Sequence, residues 1–186
     1  MRGLLLILLL VLLAITWWAL RPVEQEAASP EQTADEDPVD YWVIGLDALT
    51  FDAKGEPRRR LQARRLTHHR NSDRTDLDHP RLITYEGGTW RWDLRAGSGQ
   101  LEGGRDRLWL EEGVTALQAA WKGRLPVRLE TPDLMVEPDE KYAETASPVE
   151  ITREDGWIRA IGMQAWLNEP GRIRFLADTR AHYVVQ

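Results

Sequence analysis

The sequence predicts an all-β domain carried behind one N-terminal apolar helix. Three observations carry that reading: an 18-residue uncharged run near the N-terminus, a hydrophobic period of two from residue 41 onward, and turn signals at short intervals between the alternating runs.

The run Gly3 to Leu20, GLLLILLLVLLAITWWAL, has no charged side chain. At 1.5 Å per residue a helix of this length spans roughly 27 Å, about the hydrocarbon core of a bilayer. Its nine Leu, two Ile and one Val give an insertion free energy on the order of −4 to −7 kcal/mol. A cleaved signal peptide has a shorter apolar centre and small residues before the cut, whereas this run ends in Trp17-Trp18-Ala19-Leu20-Arg21-Pro22. Residues 1–20 are therefore expected to be a retained transmembrane anchor. Arg2 and the α-amine precede the span and acids dominate after it, so the N-terminus is expected in the cytoplasm.

Residues 21–40 hold three Pro, seven acids and one base, with no aromatic residue. Such a segment buries too little apolar surface to offset its ordering entropy and is expected to be a disordered tether. Setting aside Arg2, Arg21 and those seven acids leaves 22 of the 24 bases against 23 of the 30 acids in residues 41–186. The net charge of −6 thus belongs mainly to the tether, and the remainder is nearly neutral. A neutral domain lacks the basic footprint of a nucleic-acid binder, so nucleic acid is not an expected partner. Its length suits one domain with one core. The absence of Cys excludes disulfides, thiolate metal sites, Cys nucleophiles and a lipidated Cys.

Within 41–186, Trp90-Arg91-Trp92-Asp93-Leu94-Arg95-Ala96 alternates apolar and charged residues without interruption. Val127 to Glu130, Val149 to Thr152 and Arg172 to Phe175 repeat the pattern, and each reads as a strand with one wet and one dry face. Turn chemistry separates them at Lys54-Gly55-Glu56-Pro57, Glu86-Gly87-Gly88, Gly103-Gly104, Pro138-Asp139-Glu140, Asp155-Gly156 and Pro170-Gly171. The spacing points to an antiparallel sandwich, jelly roll or barrel. The best helix candidate is Thr115 to Lys122, closed by Gly123 and Pro126. Seven of the nine Trp, at 42, 90, 92, 109, 121, 157 and 166, fall in this domain. They supply either a bulky core or the walls of an apolar groove between sheets that do not close.

Candidate chemistry is sparse. His68-His69 lies upstream of Asp73, Asp76, Asp78 and His79, but neighbours on a strand point to opposite faces, which argues against a shared metal and for a solvated turn. Asp76 and Asp78 share a face without an apolar pocket to separate their pKa values. No nucleophile elbow, phosphate loop or HExxH is present, so no catalysis and no cofactor is expected. Arg58-Arg59-Arg60 with Arg64 and Arg65 either guards a strand edge or meets anionic headgroups or an acidic partner.

The arrangement resembles the LptC family of the lipopolysaccharide export system. The resemblance rests on Phe51-Asp52-Ala53-Lys54-Gly55, Leu61-Gln62-Ala63, His79-Pro80-Arg81-Leu82-Ile83-Thr84-Tyr85, Trp92-Asp93-Leu94-Arg95-Ala96, Leu108-Trp109-Leu110, Leu129-Glu130-Thr131-Pro132-Asp133-Leu134, Gly162 and Arg180-Ala181-His182-Tyr183. It implies a twisted antiparallel β-jelly roll of the OstA-like type, held in the periplasm by a single inner-membrane span. It further implies a lipid conduit and adaptor that receives lipopolysaccharide from the inner-membrane ABC transporter and passes it to a periplasmic bridge protein by edge-strand pairing. An anchored assembly protein that binds only protein partners is the alternative.

By alternation and resemblance, the expected interior lipid contacts are Leu46, Leu77, Ile83, Trp92, Trp109, Leu129, Ile151, Ile161, Phe175 and Tyr183, with ordinary core as the competing account of each. Leu46 and Leu77 stand where better-known members of the family have a Thr and a Phe. Gly55, Gly162, Arg180 and Tyr183 are the expected assembly or partner-binding positions, the glycines being equally explained by backbone geometry that a Cβ would spoil.

Overall fold

The computed structural model describes residues 37–103, 107–121, 123–168 and 170–184. The expected anchor at 1–20 lies outside the described residues, as does the tether through residue 36. Among the described residues no helix is long and apolar enough to cross a membrane.

The described chain forms thirteen strands, all paired antiparallel. They are β1 (Val39–Phe51), β2 (Pro57–His69), β3 (Arg74–Asp78), β4 (Arg81–Glu86), β5 (Thr89–Arg95), β6 (Ser98–Glu102), β7 (Leu108–Glu111), β8 (Val114–Gln118), β9 (Val127–Thr131), β10 (Leu134–Glu137), β11 (Tyr142–Arg153), β12 (Gly156–Trp166) and β13 (Arg172–Tyr183). Val39 and Asp40, placed with the tether by composition, belong to β1, and Val39 pairs with His69.

The pairing reveals a simpler plan. β3 and β4 both pair with β2, one along residues 65–69 and the other along 59–62, so together they act as one long strand broken in the middle. β5 with β6, β7 with β8, and β9 with β10 are broken in the same way. With β1, β2, β11, β12 and β13 they make nine long tracks. Each break falls on one line across the sheet, and there the sheet folds over. Two flaps result, the first with β3, β6, β7 and β10 and the second with β4, β5, β8 and β9, joined at one side by β2 and at the other by β11. This all-antiparallel arrangement is consistent with the expected jelly roll.

The fold line has a local cause. Alternation fails on β2 at Arg64 and Arg65, which are both exposed between Ala63 and Leu66 of the interior. Across from them Gly45 takes φ +67°, and on the far side Gly162 takes φ +74°. These are left-handed backbone positions that cost an ordinary residue about 1–2 kcal/mol. His79, Glu112 and Asp178 also have positive φ on this line. Hydrogen bonds still cross it: His79 N–H donates to Gly97 O at 2.9 Å, Gly97 N–H to Glu111 O at 3.1 Å, and Gly113 N–H to Pro132 O at 3.1 Å. On β11 the equivalent place is a bulge between Thr145 and Pro148, which is where a strand tolerates proline.

Val114 and Ala116 are buried while Thr115 and Leu117 are not, and β8 pairs with β5 and β9, so the helix expected at Thr115 to Lys122 is corrected: Thr115 to Gln118 lie in a strand, and Lys122 lies outside the described residues. Eight residues closed by glycine cannot make enough helical hydrogen bonds to outcompete two strand neighbours.

Candidate functional site

The interior between the flaps is a largely apolar seam, interrupted by His68 and Thr75 near the β1 end of the first flap. On the second flap, Ala48, Leu61, Leu82, Leu94, Ala116, Leu129, Ile151, Ile158 and Ala181 lie opposite one another in turn, an unbroken row from β1 to β13. On the first flap a matching row runs Tyr41, His68, Thr75, Leu101, Leu108, Val136, Ala143, Ala165 and Ile173. Nearer the fold line, Val43, Leu66, Leu77, Gly99, Leu110 and Leu134 form a third row. Leu82, Leu94, Leu129 and Ile151 share one hydrophobic cluster with Leu77, Leu108, Leu110, Val136 and Met163. The two flaps therefore pack on each other in the middle, where Leu110 and Met163 are each 1% exposed.

At both ends the seam comes to the surface. Tyr41, Val43 and Phe51 of β1 are exposed, and so are Ile173, Leu176 and Tyr183 of β13. Among the described residues β1 pairs only with β2 and β13 only with β12. Each edge therefore offers an unpaired backbone and an apolar row that stops at solvent.

The expected interior residues divide accordingly. Leu77, Leu129 and Ile151 are buried in the core cluster, and Leu46, Trp92 and Phe175 pack against it half-buried. Leu46 and Phe175 occupy the seam's two ends. Trp109 and Ile161 are exposed, Trp109 between Leu108 and Leu110 of the cluster and Ile161 next to Ala160, whereas Ile83 is buried beside Leu82 without joining that cluster. Trp109 Nε1–H donates to Glu102 Oε1 at 3.0 Å on the outer face. Tyr183 pairs with Gly156 on the seam side but is 57% exposed. Tyr41, Val43 and Ile173, which end the seam, were not singled out in the sequence. Ile173 sits inside the alternating run Arg172 to Phe175 and was readable there.

Gly55 lies in the β1–β2 turn, where Lys54 and Glu56 N–H groups donate to Asp52 Oδ1 at 2.8 and 2.9 Å. Those two amides, Glu56 foremost, hold the Asp52 carboxyl below its ordinary range. Gly162 lies on β12 against Leu176, and Arg180 on the outer face of β13 opposite Arg159.

The arginine-rich stretch of β2 is engaged by carboxylates. Arg60 forks onto Asp47 of β1, Arg58 and Arg59 reach Asp139, and Arg64 approaches Asp78. His68 stacks on Tyr41 with ring centroids 4.8 Å apart, while His69 Nε2 lies 2.9 Å from Asp76 Oδ2. Among the described residues no group of three or more ligating side chains gathers as a metal site. The most buried charge is Asp93 on the outer face of β5. Burial alone would raise its pKa, but bidentate hydrogen bonds from Arg81 at 2.9 and 2.8 Å, and from Arg95, outweigh burial and hold it below the ordinary carboxylate range.

A folded antiparallel sheet with an apolar seam and two open edges defines an edge-presenting β-jelly-roll domain, a design that offers pairing surfaces. The chain belongs to the LptC family: its sequence matches the family model described as lipopolysaccharide-assembly, LptC-related, over residues 6–184. It is thus a component of lipopolysaccharide transport in the Gram-negative envelope, in a family of transport components and not of enzymes. No curated protein matches the chain.

Proposed function

We propose that the protein is a membrane-anchored adaptor and lipid conduit. Lipopolysaccharide enters at the β1 edge from the periplasmic part of the inner-membrane ABC transporter, moves along the seam between the flaps, and leaves at the β13 edge into a periplasmic bridge protein of the same fold. The observation that carries this reading is the apolar row of the second flap, which runs without a break from Ala48 of β1 to Ala181 of β13 and is exposed at both ends. An acyl chain crossing water costs about 0.8 kcal/mol per exposed CH₂, and a seam continued from one domain to the next removes that barrier. Direction comes from ATP hydrolysis in the transporter. Unpaired edges recruit further strands, and head-to-tail contacts between like domains do not close on themselves.

The test is a photo-crosslinker at Leu46 in cells carrying the complete transport system. Lipopolysaccharide adducts that require ATP support the conduit. Adducts to protein alone at Leu46 and at Leu77 would overturn it in favour of an anchored assembly protein, the reading favoured by the tight packing of Leu77, Leu110 and Met163 at mid-seam.

A further inference from the structure

We infer that the free edge of β13 is built to receive a strand whose outward face is acidic, supplied by a protein other than a second copy of this chain. The inference rests on the edge-pairing reading above and names the chemistry of the partner at that edge.

β13 carries three Arg and one Asp. Elsewhere among the described residues most guanidinium groups are matched to carboxylates, though Arg65 of β2 is not: Arg60 to Asp47, Arg81 and Arg95 to Asp93, Arg107 to Glu137, Arg128 to Glu130, Arg153 to Asp155 and Arg159 to Glu150. On β13 this matching stops. Arg174 and Arg180 have no hydrogen bond or ion pair among the described residues, and Arg172 lies over the Trp166 ring, 4.3 Å from its centroid. All three share one face. Arg172 is opposite Trp166, Arg174 opposite Gln164 and Arg180 opposite Arg159, whereas Ile173 and Ala181 belong to the seam. The Arg159–Arg180 juxtaposition is itself like-charged, and Glu150 serves Arg159 from the inner side only.

Cations on an edge strand disfavour indiscriminate pairing. A strand laid beside β13 thus meets two unneutralised guanidinium forks six residues apart, about 20 Å along an extended chain. Carboxylates at matching positions would take up those forks in charge-assisted hydrogen bonds, while a neutral or basic strand would be repelled. The β1 edge of a second copy does not supply them freely. The acids of its β1 are Asp40 and Asp47, and these already bind Arg70 and Arg60.

The experiment measures binding of the purified periplasmic bridge protein to the full chain at low and high salt, for the wild type, R174E/R180E, R174K/R180K and a chain lacking residues 179–186. Both arginines are exposed and unpartnered, so the substitutions leave the fold intact, which circular dichroism checks. The expected result is wild-type association that slows with salt, association slowed about tenfold or more by R174E/R180E, and near-wild-type association for R174K/R180K. If the truncated chain fails to bind while R174E/R180E binds like wild type, the edge reading stands and the acidic-partner inference is overturned. If the truncated chain binds normally, both fall. Salt-sensitive head-to-tail self-association that R174E/R180E abolishes would overturn the exclusion of a second copy.

Discussion

Gly162 of β12 and Leu176 of β13 lie side by side at the fold line, where a Cβ on Gly162 would stand 2.8 Å from Leu176 Cδ1. With φ at +74°, Gly162 meets two independent demands, one conformational and one steric. Gly162→Ala should therefore destabilise the domain by about 2–4 kcal/mol, measured by urea unfolding. Adding Leu176→Ala should recover only part of the steric share, roughly 1 kcal/mol, because the Cβ at position 176 would still stand 3.0 Å away. Full recovery in the double variant would show that backbone conformation contributes nothing.

The Asp93 carboxylate is depressed in pKa, so its contribution to stability is present above its unfolded pKa near 3.8 and is lost as pH falls through the still lower folded value. Asp93→Asn should cost about 1–2 kcal/mol at neutral pH, a modest figure because Arg81 and Arg95 remain partly hydrated. The gap between variant and wild type should narrow below pH 4 in a pH series of unfolding curves. A gap that stays constant to pH 2 would assign the effect to packing instead.

Leu110 is almost fully enclosed where the flaps meet. Leu110→Ala should lower stability by about 2–5 kcal/mol in chemical denaturation, because neighbours from both flaps cannot close the cavity together. A loss under 1 kcal/mol would mean that the seam at this point is loosely packed.

Crosslinking should report the face of each residue. Photo-reactive groups at Leu46 and Phe175, at the two ends of the seam, should yield lipopolysaccharide adducts in cells. The same group at Trp109 or Ile161, on outer faces, should not. Equal yields from all four positions would place lipid outside the seam.

The strands themselves were legible because Trp90 to Ala96 and Arg172 to Phe175 alternate cleanly, and the Gly87-Gly88 turn joins β4 to β5 where glycine signalled it. The fold line was not. A period-two count carried past Gly162 arrives out of phase, since a left-handed residue reverses which side faces in, and Ile161 is exposed next to it. At Trp109 smaller Leu108 and Leu110 fill the space between the flaps while the indole donates to Glu102 outside. The seam's outer ends, Tyr41 and Ile173, could not be recognised as ends before the pairing order was known.

An odd number of alternating tracks leaves the first and last pointing the same way. β1 runs from the flap of Tyr41 to that of Ala48, and β13 runs from the flap of Ile173 to that of Ala181. A neighbour of the same design that aligns its seam with this one must therefore lay its first strand parallel to β13, although every pairing inside each domain is antiparallel. Parallel hydrogen bonds are slanted and slightly weaker per residue. The joints of such a chain of domains would be softer than its links, so it could be assembled and dismantled while every link stayed folded.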